Sequence, residues 1–227
     1  MRRDTFKQKI DSINYYLSGY DTLSPFCDDG NCYEQIETVQ GKIISGLLDV
    51  LNDRRILSYD LSKTFNQNSL YHSSSSDGRV HFFTIDAKNG GSWQMQLTIL
   101  HTHLKNGAVR AVDLSKDYSY ASFGNIQMVD STNSTYVAIG GVTTCNTCIA
   151  MMALTIQPES MQLPEIVCSL DSRTNNDYDI TYDPSTKIIS YFHTIVTNDP
   201  LGGSPDASFE YGENDFADQP LKITYHK

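Results

Sequence analysis

Basic residues are scarce in this sequence. Across 227 residues, 17 Lys and Arg stand against 27 Asp and Glu, for a formal charge of -10. Sequence-independent nucleic-acid binding and attachment to anionic membranes both need clustered Lys and Arg, so this balance argues against both. A long apolar run is missing too. The longest stretch without a charge, Ser131 to Pro158, is interrupted by Thr, Asn, a Gly-Gly pair and the turn-like Thr143-Thr144-Cys145-Asn146-Thr147-Cys148. A membrane-crossing helix needs about 20 mostly apolar residues in succession, and the longest apolar run, Ile149–Leu154, suits a buried strand instead. No Gly-rich phosphate loop, GxSxG elbow, HExxH helix or dinucleotide fingerprint occurs. Carboxylate pairs for glycoside cleavage are assembled in space and leave no motif to find.

What is present points to a folded protein. Apolar side chains make up 39% of the chain, including 14 Tyr and 9 Phe, too many for a disordered segment. The length fits one domain, or a small helical segment joined to a larger one. Phe6, Ile10, Ile13 and Leu17 fall at helical spacing behind Asp4 or Thr5 as N-cap, and Gly19 with Ser24-Pro25 is expected to break the pattern. A second helix begins near Cys32, with Ile36, Val39, Ile43, Leu47 and Leu51 on one stripe that Ile44 and Leu48 widen. Residues 58–65 add a short third helix. The tract 66–77, with Ser73 to Ser76, reads as a linker.

From Gly78 the pattern turns to period 2. Strands are predicted at Val80–Asp86, Ser92–Leu104, Ala108–Leu114, Gln127–Asp130, Tyr136–Val142, Cys148–Gln157, Ile166–Leu170, Asp179–Tyr182, Ile188–Val196 and Leu221–Tyr225. The polar starts Ser76-Asp77-Gly78-Arg79-Val80, Thr132-Asn133-Ser134-Thr135-Tyr136 and Pro184-Ser185-Thr186-Lys187-Ile188 echo one another, as the hairpins of a meander would. In 80–85 one face carries Val80 and Phe82, and the other Phe83 and Ile85. Antiparallel strands apolar on both sides need a cover on each. The expected fold is therefore α+β, with N-terminal helices packed on a curved, mostly antiparallel meander or two-layered sheet. The expected organisation is a helical segment 1–66, a Ser-rich linker 67–77 and a β-rich body 78–227, forming one compact unit with the helices.

Several residues invite a chemical reading. His101 and His103 share one side of a strand with Trp93, Met95, Leu97 and Ile99, and two His at i and i+2 can chelate a metal with His193 or His81 as a third ligand. They can equally cap an apolar face with their nitrogens bonded to backbone. Cys145-Asn146-Thr147-Cys148 lies between strand-like flanks rather than at a strand-to-helix step, so a hairpin tip is expected over a thioredoxin-like redox site. A structural role for Cys145 and Cys148 comes first, as a disulfide or as thiols. Zinc shared with Cys27 and Cys32, whose spacing falls in the structural-zinc range, is the alternative. Cys168, between Val167 and Ser169, reads as a buried hydrophobe.

Acidic residues gather at Asp28-Asp29, at 171–183 and at 199–218. Asn175-Asn176-Asp177-Tyr178-Asp179 offers oxygen ligands at alternate positions but lacks the Gly and distal Glu of the calcium loop. Glu210, Glu213, Asp215 and Asp218 belong to a long loop before the last strand, a candidate surface for a protein or glycan partner. No cofactor is expected, with zinc and calcium as the candidates to test.

The pattern Asp77-Gly78-Arg79-Val80, Ile85-Asp86 and Gly90-Gly91-Ser92 resembles one in uncharacterised secreted or periplasmic bacterial proteins, where D-G-x-hydrophobic leads to a Trp-Asp step and a Gly-Gly-Thr turn. The chain departs from that pattern at Ile85 and Ser92. The resemblance implies an exported protein with N-terminal helices and a β-rich body, and no activity. Met1-Arg2-Arg3-Asp4 leads into no apolar signal core. The cysteine pairs and the Asn133-Ser134-Thr135 sequon nonetheless suit export, so a periplasmic or secreted location with its signal removed is expected, or the cytoplasm if Met1 is the native start. Two functional readings follow. The first is a non-catalytic binding protein of the bacterial cell envelope, of which an inhibitor or immunity-type protein against a basic partner is one form. The alternative is a hydrolase of carbohydrate or envelope material using carboxylates or histidines.

Overall fold

The computed structural model describes residues 5–26, 31–66, 68–89, 95–117, 122–132, 134–144, 148–160, 163–172, 177–183, 185 and 188–194; the side chains of 142–144, 148–151, 165–172, 177–182 and 188–194 are not among those described. Helix α1 (Thr5–Asp21) buries Phe6, Ile10, Ile13, Leu17 and Tyr20 along one stripe. It runs through Gly19 because Tyr20 is anchored beyond it, its hydroxyl donating to the Asp86 carbonyl at 2.6 Å. Lys88 then closes the helix end. Its ammonium donates to the carbonyls of Tyr20 and Leu23, both at 2.7 Å, where a cation complements the helix dipole.

Helix α2 (Cys32–Leu51) buries Ile36, Ile43, Leu47, Val50 and Leu51 against α1. The short helix expected over 58–65 is the four-residue α3 (Leu61–Thr64), and a 3-10 turn (Arg54–Ser58) that was not expected precedes it. Asp53 and Asp60 sit in extended backbone and accept from the amides of Arg55 and Ser62, so each starts a new turn.

Ten strands follow among the described residues: β1 (Tyr71–Ser74), β2 (Val80–Asp86), β3 (Gln96–His103), β4 (Val109–Asp113), β5 (Ser122–Asp130), β6 (Thr135–Thr144), β7 (Cys148–Ile156), β8 (Glu165–Ser172), β9 (Asp177–Asp183) and β10 (Ile188–Thr194). They form a four-stranded sheet β1-β2-β3-β4, a second one β5-β6-β7-β8, and a two-stranded ribbon β9-β10, and every pairing is antiparallel. The chain is α+β, and each four-stranded sheet is a meander in chain order. The expected strand 221–225 lies outside the described residues.

A further expectation is corrected. The serine tract read as a linker contains β1, which pairs His72 with Phe83 and Ser74 with His81. Serine suits an edge strand here because its hydroxyls take up backbone groups. Ser73 donates to the Phe123 carbonyl of the second sheet, and Ser75 accepts from the amides of Arg79 and Val80.

The two faces of the first sheet build two cores. Phe83, Ile85, Ile99 and Ala111 join the helices, whereas Val80, Phe82 and Leu100 pack against Phe123, Ile126, Tyr136, Ala138, Leu154 and Ile156 of the second sheet. The layers are thus helices, first sheet, second sheet. Side-chain amides fasten the helical layer. Asn52 accepts from the Ala111 amide at 2.8 Å and donates to its carbonyl at 3.3 Å, occupying the open edge of β4 as a strand would. Asn14 does the same for the chain after α3, donating to the Thr64 carbonyl and accepting from the Asn66 amide.

Two glycines test this packing. Gly41 lies in the exposed interior of α2 with nothing within 4 Å of an added Cβ, so Gly41→Ala should stabilise by up to about 1 kcal/mol. At Gly140 of β6 a Cβ would come within 2.3 Å of the Ser122 carbonyl and 2.6 Å of the Phe123 ring. Gly140→Ala should cost about 3 kcal/mol or more. Urea midpoints of the two variants, expected to move in opposite directions, check both.

Candidate functional site

The first sheet gathers histidines. His72 on β1, His81 on β2, and His101 and His103 on β3 share the face turned to the helices, since His81 pairs with His101 and His72 with Phe83 in the ladder. The hydrogen bonds give the donor order. His81 Nε2 donates to the Gly78 carbonyl at 2.8 Å, which leaves Nδ1 to accept from His72 Nε2 at 3.1 Å. His101 and His103 meet through their two Nε2 atoms at 2.9 Å. His101 is fully buried, and its Nδ1 meets no partner at hydrogen-bonding geometry among the described residues.

Burial favours the neutral form of these rings. It lowers His81 to about 4, with further repulsion from His103 and His72. His101 falls to about 2, again chiefly by desolvation, then by His103, His81 and His72, with the nearby Leu51 carbonyl acting weakly the other way. His72 and His103 are also lowered by desolvation; Arg79 adds to the effect at His103. A catalytic imidazole needs a proton affinity near the working pH and usually a group that orients it. Here the imidazoles hold one another, and no carboxylate bonds any of them among the described residues.

Beside the cluster, the turns opening β2 and β6 lock together. Tyr136 donates to Asp77 Oδ2 at 2.6 Å, and Ser75 donates to Oδ1 at 2.7 Å. Arg79 reaches the Ser134 hydroxyl at 2.9 Å, the His103 carbonyl at 3.0 Å and the Glu159 carboxylate at 2.7 Å. Burial pulls the Asp77 carboxyl upward, but the bonds from Ser75, Tyr136 and the Arg79 amide outweigh it and hold it below its ordinary 3.8. Burial, then Asp77, pushes the Tyr136 phenol above its usual range. Two of the polar starts that echo in the sequence, those at Asp77 and Ser134, therefore clasp the two sheets to each other at this end.

Sequence reasoning placed His101 and His103 on one face, and the structure joins to them His81, which it weighed, and His72, which it did not. His72 was hidden in the serine tract read as a linker. His193 lies on β10, opposite Tyr178, and its side chain is not described. Among the described residues no group of three His, Cys, Asp or Glu side chains is placed to hold a metal ion. Cys32 is disulfide-bonded, and a sulfur so held is not a thiolate ligand. Cys27, Cys145, Glu210, Glu213, Asp215 and Asp218 lie outside the described residues, as do the side chains of Cys148 and Cys168. No helix among the described residues is long and apolar enough to cross a membrane. On the other face of the first sheet, a cavity of about 20 Å³ between Leu100, Arg110, Val112 and Ile156 has room for about one water.

Compared with protein-family models, with curated proteins and with solved structures, the chain matches none.

The clasp yields a stability prediction. Tyr136→Phe strips Asp77 of a donor while keeping the ring, and should cost about 1–3 kcal/mol at pH 7 by urea unfolding. Because the Asp77 carboxyl sits below 3.8 when folded, the stability it contributes is present above that value and is lost as pH falls through its lowered pKa. The deficit of the variant should therefore shrink under acid, and a deficit unchanged down to pH 2 would argue that the hydroxyl matters for another reason.

Proposed function

We propose that the chain is a non-catalytic binding or interaction protein of the bacterial cell envelope, with an inhibitor or immunity-type role against a basic partner as its most specific form. One observation carries the reading: the groups best suited to chemistry are spent on internal bonds. The four imidazoles bond to one another or to backbone, and Asp77, Tyr136 and Arg79 bond across the two sheets. A hydrolase would need an acid and a base converging on a space for substrate. The formal charge of -10 supports a cationic partner, since a net negative field speeds such encounters. The disulfide at Cys32 supports export, because such bonds persist in oxidising compartments.

The contact surface in this reading includes the acidic stretch of Glu210, Glu213, Asp215 and Asp218. Reversing all four to Lys should slow association with purified basic envelope enzymes by about tenfold at low salt, with the difference fading as salt is added. Stopped-flow kinetics of parent and variant measure it. Turnover of glycan or peptidoglycan fragments by the parent, lost in His101→Ala or His103→Ala, would instead establish the hydrolase.

A further inference from the structure

The histidines form one continuous cluster between the first sheet and its helical cover. His72 stacks on Phe83 with ring centroids 4.8 Å apart and on His81 at 5.4 Å. His81 lies 5.1 Å from His103 and 5.7 Å from His101, and those two are 4.8 Å apart. Among the described residues no counter-charge is bonded to the cluster. Asp60, the N-cap of α3, acts on His72 through space, and Asp77 acts likewise on His81 and His103. Arg79 opposes charge on His103, and Arg54 of the 3-10 turn stands beside Gly107 in the turn after β3. Helix α2 offers the Leu51 carbonyl, while β4 sets Ala111 and Val109 opposite His101 and His103.

We propose that this cluster is an acid-sensitive latch, in which proton uptake by the imidazoles parts the helical layer from the first sheet at its histidine end while the core between the two sheets stays closed. Imidazolium rings about 5 Å apart repel one another, and for the buried His81 and His101 only parting lets water reach them. Among the described residues the inter-sheet core contains no histidine, being built from Val80, Phe82, Leu100, Phe123, Leu154 and their neighbours. Its Asp77–Tyr136 bond depends on a carboxylate that protonates only at lower pH.

The direction follows from linkage. Opening restores the ordinary histidine value of 6.5, against about 4 for buried His81 and about 2 for buried His101. Closure is at full strength above pH 6.5. Below it the open form takes protons that the closed form refuses, so closure weakens until each ring's own lowered value is reached. Carboxylates with ordinary values near 3.8 add little above about pH 5, which leaves the interval from 6.5 to about 5 to the histidines.

Hydrogen exchange of the full chain, corrected for intrinsic rates and followed by mass spectrometry from pH 7 to pH 5, tests the latch. Opening constants over 46–60 and 71–74 should rise about tenfold per pH unit for each proton taken up, while 135–141 and 152–156 hold steady. A flat profile over 46–60, or an equal rise in both regions, overturns the proposal. His81→Phe and His101→Leu should each lower that slope by about one proton, and an unchanged slope in both overturns it as well. Should either variant fail to fold, the parent's own exchange profile decides: a rise below pH 6.5 confined to 46–60 and 71–74 supports the latch, and a flat or uniform profile sinks it.

Discussion

Strands β2 and β3 carry apolar side chains on both faces, and an antiparallel pair of that kind is stable only with a cover on each side. Phe83, Ile85 and Ile99 look toward the helices, while Val80, Phe82 and Leu100 look toward the second sheet. Turning either face to water would expose a row of large side chains. The constraint therefore sets the order of the layers: the helices, which precede the strands in the chain, close one side, and the second meander closes the other. The clasp between the turns at Asp77 and Ser134 then fixes how the two sheets meet at one end.

Much of this was legible from periodicity. The stripe Phe6, Ile10, Ile13, Leu17 is the buried stripe of α1, and Val80–Asp86 is a strand with the bounds its alternation predicts. Ends and short elements were less legible. Helix α1 passes Gly19 because the tertiary bond from Tyr20 to Asp86 outweighs a local propensity of about 1 kcal/mol. Strand β1 was missed because Ser-rich composition is also what a linker looks like. Nothing in the local sequence says that Ser73 will meet the Phe123 carbonyl fifty residues later.

The polar fastenings were illegible for a related reason. Asn14, Gln40 and Asn52 have no periodic signature, and each could be a surface residue. Their role depends on where an unpaired backbone group ends up: the edge of β4 for Asn52, the chain after α3 for Asn14, and the Ala87 carbonyl for Gln40 at 2.6 Å. A buried backbone group without a partner is costly, so once the layers are stacked an amide at that spot is worth more than an aliphatic. Sequence order shows the amide but not the unpaired group it meets.

The histidine face combines both lessons. Along β2 and β3 the helix-facing side runs from Ile85 and Leu97 through Phe83 and Ile99 to His81, His101 and His103. An imidazole is flat and apolar enough to continue that packing, and its nitrogens can bond to other imidazoles when no water is at hand. Neutral rings thus behave as aromatic core residues, as the stacking of His72 on Phe83 illustrates. Phe at the same places would give a face indifferent to pH. Histidine keeps the contact while making it conditional on the rings staying uncharged, so part of the helical layer is held by an interaction that acid can withdraw without touching the apolar core on the other side of the sheet.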